Sequence, residues 1–115
     1  MFQSRSSTRF TSLARARVSG LSEGEALLKD LSVLGCRLEF SAAVAFSPDH
    51  RYRIQVLPEA PAGVDLFEFE AAPRWSRADY DSFDIGFSIT ASPKGKAFQR
   101  YIDYLSWRSA SASTE

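Results

Sequence analysis

Six short stretches in which apolar and polar residues alternate with a period of two, each closed off by turn residues, constrain the fold of this chain most. Leu13 to Val18 sets Ala14, Ala16 and Val18 against Arg15 and Arg17; Gly24 to Leu31 carries Leu27 and Leu31. Cys36, Leu38 and Phe40 share one face, with Arg37 and Glu39 on the other. Tyr52, Ile54 and Val56 alternate with Arg51, Arg53 and Gln55. Phe67, Phe69 and Ala71 alternate with Glu68 and Glu70 before Pro73 interrupts the ladder near Trp75; Phe83, Ile85, Phe87 and Ile89 lie opposite Asp84, Gly86 and Ser88. Successive strand side chains point to opposite faces, so each stretch predicts a half-buried antiparallel strand. Six in close succession predict a mainly β fold, a six-stranded antiparallel barrel of Greek-key or split type. Nine phenylalanines supply the bulk to fill its interior.

The period then changes. Ser92-Pro93 reads as a helix start, serine capping and proline at the first helical position, with Gly95 as an awkward residue in the opening turn. Phe98, Tyr101, Ile102 and Leu105 follow at helical spacing, predicting a C-terminal helix that lays one apolar stripe on the barrel. Residues 109–115 are small, polar and repetitive, and predict a frayed tail. The expected organisation is a flexible basic arm over 1–12, one barrel-plus-helix domain over 13–108, and the tail.

Charge narrows the function. Fourteen basic residues balance fourteen acidic ones, yet Arg5, Arg9, Arg15 and Arg17 stand in the first twenty residues without an acid, while seven acids gather between Glu59 and Asp84. The N-terminal arm is the anion-seeking end. An Arg- and Ser-rich start without acids also suits an organellar transit peptide, but cleavage would remove the first expected strand. A single cysteine permits no internal disulfide, and no apolar run reaches membrane-spanning length, which points to a reducing, cytoplasmic setting. Cys36 reads as a small buried hydrophobe. His50, the only histidine, has no second histidine or cysteine pair to complete a metal set. The acids lack a nucleophile or adjacent base, so they read as a solubilising face, and no enzyme activity, metal or cofactor is expected.

Two short motifs stand out against this background: Arg5-Ser-Ser-Thr-Arg9, an RxxxR, and Asp30-Leu-Ser32-Val-Leu-Gly35, a DxSxxG. Guanidinium is a planar, permanently charged fork that holds phosphate oxygens in pairs or takes the O6/N7 edge of guanine. An aspartate carboxylate accepts only, which matches the N1 and N2 donors on guanine's other edge. Strand alternation predicts that Asp30 and Ser32 face outward together while Leu31 and Val33 enter the core. Gly35 can take positive φ at a turn or let a ligand approach the backbone.

The order and spacing of these motifs resemble those of PilZ domains, the bacterial receptors for cyclic di-GMP. The resemblance covers nearly the whole chain, since Ala72-Pro-Arg-Trp75 and Asp84-Ile-Gly-Phe87 look like the fifth and sixth strands of that barrel. It implies a nucleotide site made by Arg5, Arg9, Asp30, Ser32 and Gly35. Arg37 can reach a phosphate or stand as a solvated strand charge; Trp75 can stack on guanine, with packing against the helix the favoured alternative. The chain departs from the family where Ser4 and Ser6 flank a lone Arg5 in place of a doubled arginine, and where Ser47-Pro-Asp-His-Arg51 replaces a tight glycine turn. The expected protein is a stand-alone receptor or adaptor that binds cyclic di-GMP and signals to a protein partner. One alternative is a PilZ-like interaction module without nucleotide. The other, a small barrel for single-stranded nucleic acid, is disfavoured by the balanced charge and acidic face.

Overall fold

In the computed structural model, which describes residues 8–21, 25–91 and 93–113, the alternation becomes seven strands and a helix. These are β1 (Phe10–Thr11), β2 (Arg15–Val18), β3 (Ala26–Leu31), β4 (Gly35–Phe40), β5 (Tyr52–Leu57), β6 (Phe67–Ala78), β7 (Phe83–Ala91) and α1 (Ala97–Ser113). Every pairing is antiparallel. β3 joins β2, then β5, β6, β7 and β4 follow, and β4 returns to β3, which closes a six-stranded barrel.

The seventh strand, β1, prolongs the line of β2 along the same edge of β3. Ser12 N–H donates to the Lys29 carbonyl and Leu28 N–H to the Ala14 carbonyl, so the chain passes from β1 to β2 without leaving β3. Ser12 is itself buried, and the barrel therefore takes in Phe10–Ser12, residues expected to belong to the arm.

Inward-facing Leu28, Leu31, Leu38, Ile54, Val56 and Ile85 are fully buried and form the barrel centre. Each such side chain contributes about 2 kcal/mol by leaving water. Helix α1 covers one opening: Phe98 meets Phe67 and Phe69 edge-on at 5.8 and 5.9 Å, and Tyr101, Ile102 and Leu105 are buried beside it. The expected apolar stripe is thus the one that packs.

Its ends differ from expectation. Gly95 has φ of 79°, outside the helical region, and the helix starts only at Ala97; Ser92 lies outside the described residues. At the other end α1 runs through residues 109–113, the stretch expected to fray. Pro73 also fails to end its strand. Pairing with β5 stops at Ala71, so that edge asks no N–H of residue 73, and a bulge between Pro73 and Trp75 carries β6 on to Ala78.

A second bulge, between Leu28 and Asp30, sets the chemistry of the outer face. Leu28 pairs with Leu38, but Asp30 pairs with Arg37, leaving Lys29 as the extra residue. Without that insertion Asp30 would stand opposite Cys36 and point inward. With it, the inward set switches from Ala26 and Leu28 to Leu31, and Asp30 emerges outside. Leu27, expected in the core, is consequently left half-exposed. No helix among the described residues is long and apolar enough to cross a membrane.

Candidate functional site

Strand register lines up Thr11, Asp30, Arg37, Gly86 and Trp75 as a single row running over β1, β3, β4, β7 and β6. All of these residues belong to the outer set of the barrel. The neighbouring row places Asp84 between Glu39 and Arg77.

Ion pairs knit the rows together. Arg9 Nη1 donates to Asp30 Oδ1 at 2.5 Å, and Arg37 Nε donates to Asp30 Oδ2 at 3.1 Å. Arg37 then reaches on through Nη1 to Asp84 Oδ2 at 3.1 Å, where Arg77 Nη2 also arrives at 3.3 Å. Three guanidiniums thus share two carboxylates, and positive charge is in excess. Burial works against the charge on Arg37, but the hydrogen bonds and negative charge of Asp30, and then of Asp84, outweigh it and hold the guanidinium pKa above its ordinary value.

Trp75 lies across Gly86. A Cβ on residue 86 would fall 2.2 Å from the indole Nε1 and Cε2, so the ring occupies the space a side chain would take. It remains 44% exposed and is not buried against the helix, as the favoured sequence reading had it. The bulge after Pro73 turns Arg74 outward beside it, and Arg74 Nε donates to Ser88 Oγ at 2.9 Å. An indole with an arginine on either side along β6, Arg74 and Arg77, is a surface suited to a planar, anionic ligand.

The other motif residues have different surroundings. Ser32 is buried. Its Oγ accepts the N–H groups of Leu34 and Gly35 at 3.1 and 3.2 Å, and its own N–H donates to the Gly35 carbonyl. The hydroxyl is committed to the β3–β4 turn instead of standing outward beside Asp30, and the same turn leaves Val33 exposed where alternation predicted it buried. Gly35 has neither a positive φ nor an open face: a Cβ there would lie 2.3 Å from the Phe87 carbonyl oxygen, so its glycine is demanded by the close approach of β7. Arg5 lies outside the described residues.

Neither a protein-family model nor a curated protein sequence matches this chain. A solved structure does. The inhibitor of motility MotI/DgrA of Bacillus subtilis is similar over 95% of this chain, with a TM-score of 0.75 and 18% identity. This chain spans about half of that protein, 52% of its length. At such identity the likeness establishes a shared fold, the barrel with its C-terminal helix, and not a shared ligand.

Asp84, Arg74 and Arg77 are the members of this surface that sequence reasoning missed. They sit in the acid-rich stretch read as a solubilising face, yet Asp84 is 3% exposed and its Oδ1 has no hydrogen-bond partner among the described residues. A sequence signal existed: Asp84 alternates with Gly86 on the same strand face, two residues from the glycine against which Trp75 rests. The reading of Cys36 as a small buried hydrophobe holds. Cys36 is buried, and that burial, with the charge of Asp30, pushes its thiol pKa far up. His50 meets the Tyr52 ring edge-on at 4.6 Å. Among the described residues no group of three or more His, Cys, Asp or Glu is placed to hold a metal ion.

Proposed function

We propose that this protein is a non-enzymatic, PilZ-like receptor for cyclic di-GMP that passes the signal to a protein partner. The observation that carries this reading is the meeting of Arg9 with Asp30. Residues 21 positions apart, one from each motif, touch on a row that continues through Arg37 to Trp75.

The ligand's chemistry fits an exchange at that contact. In the free protein the two motif halves satisfy each other, Arg9 occupying Oδ1 of Asp30. A molecule bearing both phosphate and guanine can take over both roles at once, phosphate accepting from Arg9 while guanine N1–H and N2–H donate to the vacated carboxylate oxygen. A simple anion offers only half of that exchange. Arg37 stays anchored by Asp84 throughout, and Trp75 presents an exposed ring face for the second base. In this proposal Arg5 adds a further phosphate contact, while Ser32 and Gly35 shape the turn that follows Asp30.

The site is an open sheet face. A cavity of about 490 Å³ between Arg53, Glu70 and Lys94 shares no residue with it. In this proposal Arg9, on the edge of that face beside Asp30, is the residue that meets the ligand from the arm.

One observation favours a second reading, a PilZ-like interaction module without nucleotide: both oxygens of Asp30 are already engaged by Arg9 and Arg37. Titration calorimetry with cyclic di-GMP separates the two, with GTP and a short oligonucleotide as controls. Selective heat with cyclic di-GMP supports the receptor; no heat up to about 1 mM, where binding would be worth only about 4 kcal/mol, sinks it.

A further inference from the structure

The geometry points to β1 as a coupling element that joins the Arg9–Asp30 contact to the C-terminal half of α1. β1 pairs with β3 through Phe10 with Leu31 and Thr11 with Asp30, with one further backbone bond from Ser12 N–H to the Lys29 carbonyl. Two residues of ladder hold little stability of their own. Side chains pin the strand from opposite sides. On the site side Arg9 grips Asp30, the register partner of Thr11. On the helix side Arg108 Nη2 donates to the carbonyl of that same Thr11, and Arg108 Nη1 donates to Glu59 Oε2 at 2.9 Å.

The helix-side pin forms a closed ring. Tyr101 donates its hydroxyl to Glu59 Oε1 at 2.6 Å, and Ser12 Oγ lies 2.7 Å from the same hydroxyl while accepting the Ala14 N–H. Glu59 thus receives both Tyr101 and Arg108 from α1, while Thr11 and Ser12 bind those two residues from the strand. Only Thr11 separates Asp30 from Arg108. Beyond the ring Arg108 sits over Tyr104 at 5.7 Å, and Tyr104 contacts the exposed Trp107 at 6.1 Å.

A group that draws Arg9 off Asp30 removes one of the two pins. β1 then slackens, the Thr11 carbonyl leaves Arg108, and the turns of α1 from Tyr104 onward lose one of their anchors, Glu59 and the buried Leu105 remaining. Coupling between distant sites needs such an element, one whose equilibrium both sites bias. The ligand-driven half of this scheme rests on the cyclic di-GMP reading; the mechanical link between Arg9 and α1 does not.

Amide hydrogen exchange of α1, followed by NMR on the full chain, tests both halves. Wild type is compared with Arg9→Gln, Arg108→Gln and the double variant, all without ligand. Arg9→Gln should speed exchange from Tyr104 onward by about 5-fold or more, and should add nothing once Arg108 is already replaced. Unchanged α1 exchange in Arg9→Gln, or effects that simply multiply in the double variant, would overturn the coupling. Cyclic di-GMP is then added with calorimetry in parallel. Heat accompanied by faster α1 exchange supports the whole scheme. Heat with unchanged exchange overturns the coupling and leaves the receptor standing, whereas coupled variants without heat overturn the receptor and leave the coupling standing.

Discussion

Trp75 rests on Gly86, its indole atoms 2.2 Å from where a Cβ would begin. Replacing Gly86 by alanine should tilt the ring off β7. Because the half-exposed indole can move away into solvent, the stability cost should stay near 1 kcal/mol, while the tryptophan emission spectrum shifts and cyclic di-GMP affinity falls. Gly35→Ala provides the contrast. Its Cβ meets the Phe87 backbone carbonyl at 2.3 Å, which cannot swing aside, and the expected loss is about 3 kcal/mol in chemical denaturation. Equal losses for the two variants would show that Trp75 is held as firmly as backbone.

Asp84 is a buried carboxylate that gathers Arg37 and Arg77 onto one oxygen. Asp84→Asn should destabilise the barrel by about 1–3 kcal/mol, since charge-assisted bonds to two guanidiniums are weakened. The loss is limited because Arg77 is largely exposed and water can solvate it once released. Urea denaturation of the variant against wild type checks the figure; an Asp84→Asn protein as stable as wild type would make the contact incidental.

Arg9 and Asp30 should respond differently to replacement. Arg9→Ala removes charge-assisted bonds to phosphate worth about 1.5–3 kcal/mol and should weaken cyclic di-GMP about ten- to a hundredfold, with a shallower salt dependence. Asp30→Ala should lower both affinity and the preference for guanine over adenine, with the salt dependence little changed. Tighter binding by Asp30→Ala with the same base preference would mark the carboxylate as a structural counter-ion and move the interaction module ahead.

Burial, and then the hydrogen bond to Glu59, raise the Tyr101 phenol above its ordinary pKa of 10.0. A pKa raised on folding means that the contribution to stability is complete below the unfolded value and is lost as pH climbs through the folded one. The advantage of wild type over Tyr101→Phe should therefore be constant up to about pH 10 and shrink above it. Paired thermal melts across that range check the sign; an advantage that grows with pH would contradict the Glu59 contact.

The resemblance to PilZ domains correctly anticipated the closed barrel with its C-terminal helix, and alternation identified most of the core. Ala14, Ala16, Leu38, Ile54, Val56, Phe67, Phe69 and Ile85 are buried where a period of two requires. Alternation failed at Leu27 and Val33, because a bulge at Lys29 and a serine-built turn at Ser32 each reset the phase of the pattern. Both motif halves were legible as strings of residues. Their division of labour was not, since Ser32 and Gly35 serve the turn and the β7 approach while Asp30 alone carries a charge to the surface.

The sequence by itself determined most strand faces, the apolar stripe of α1 and the basic character of the arm, because these depend on residue type and local spacing. Tertiary structure alone decided that a bulge at Lys29 turns Leu27 out of the core, that Asp84 is buried beneath two arginines, that Trp75 lies on Gly86, and that Arg108 reaches the carbonyl of Thr11. Each of these relationships joins residues from different elements through strand register. A single bulge shifts that register by one residue and reverses the face, and nothing within the local run of residues fixes where the partner strand will impose it.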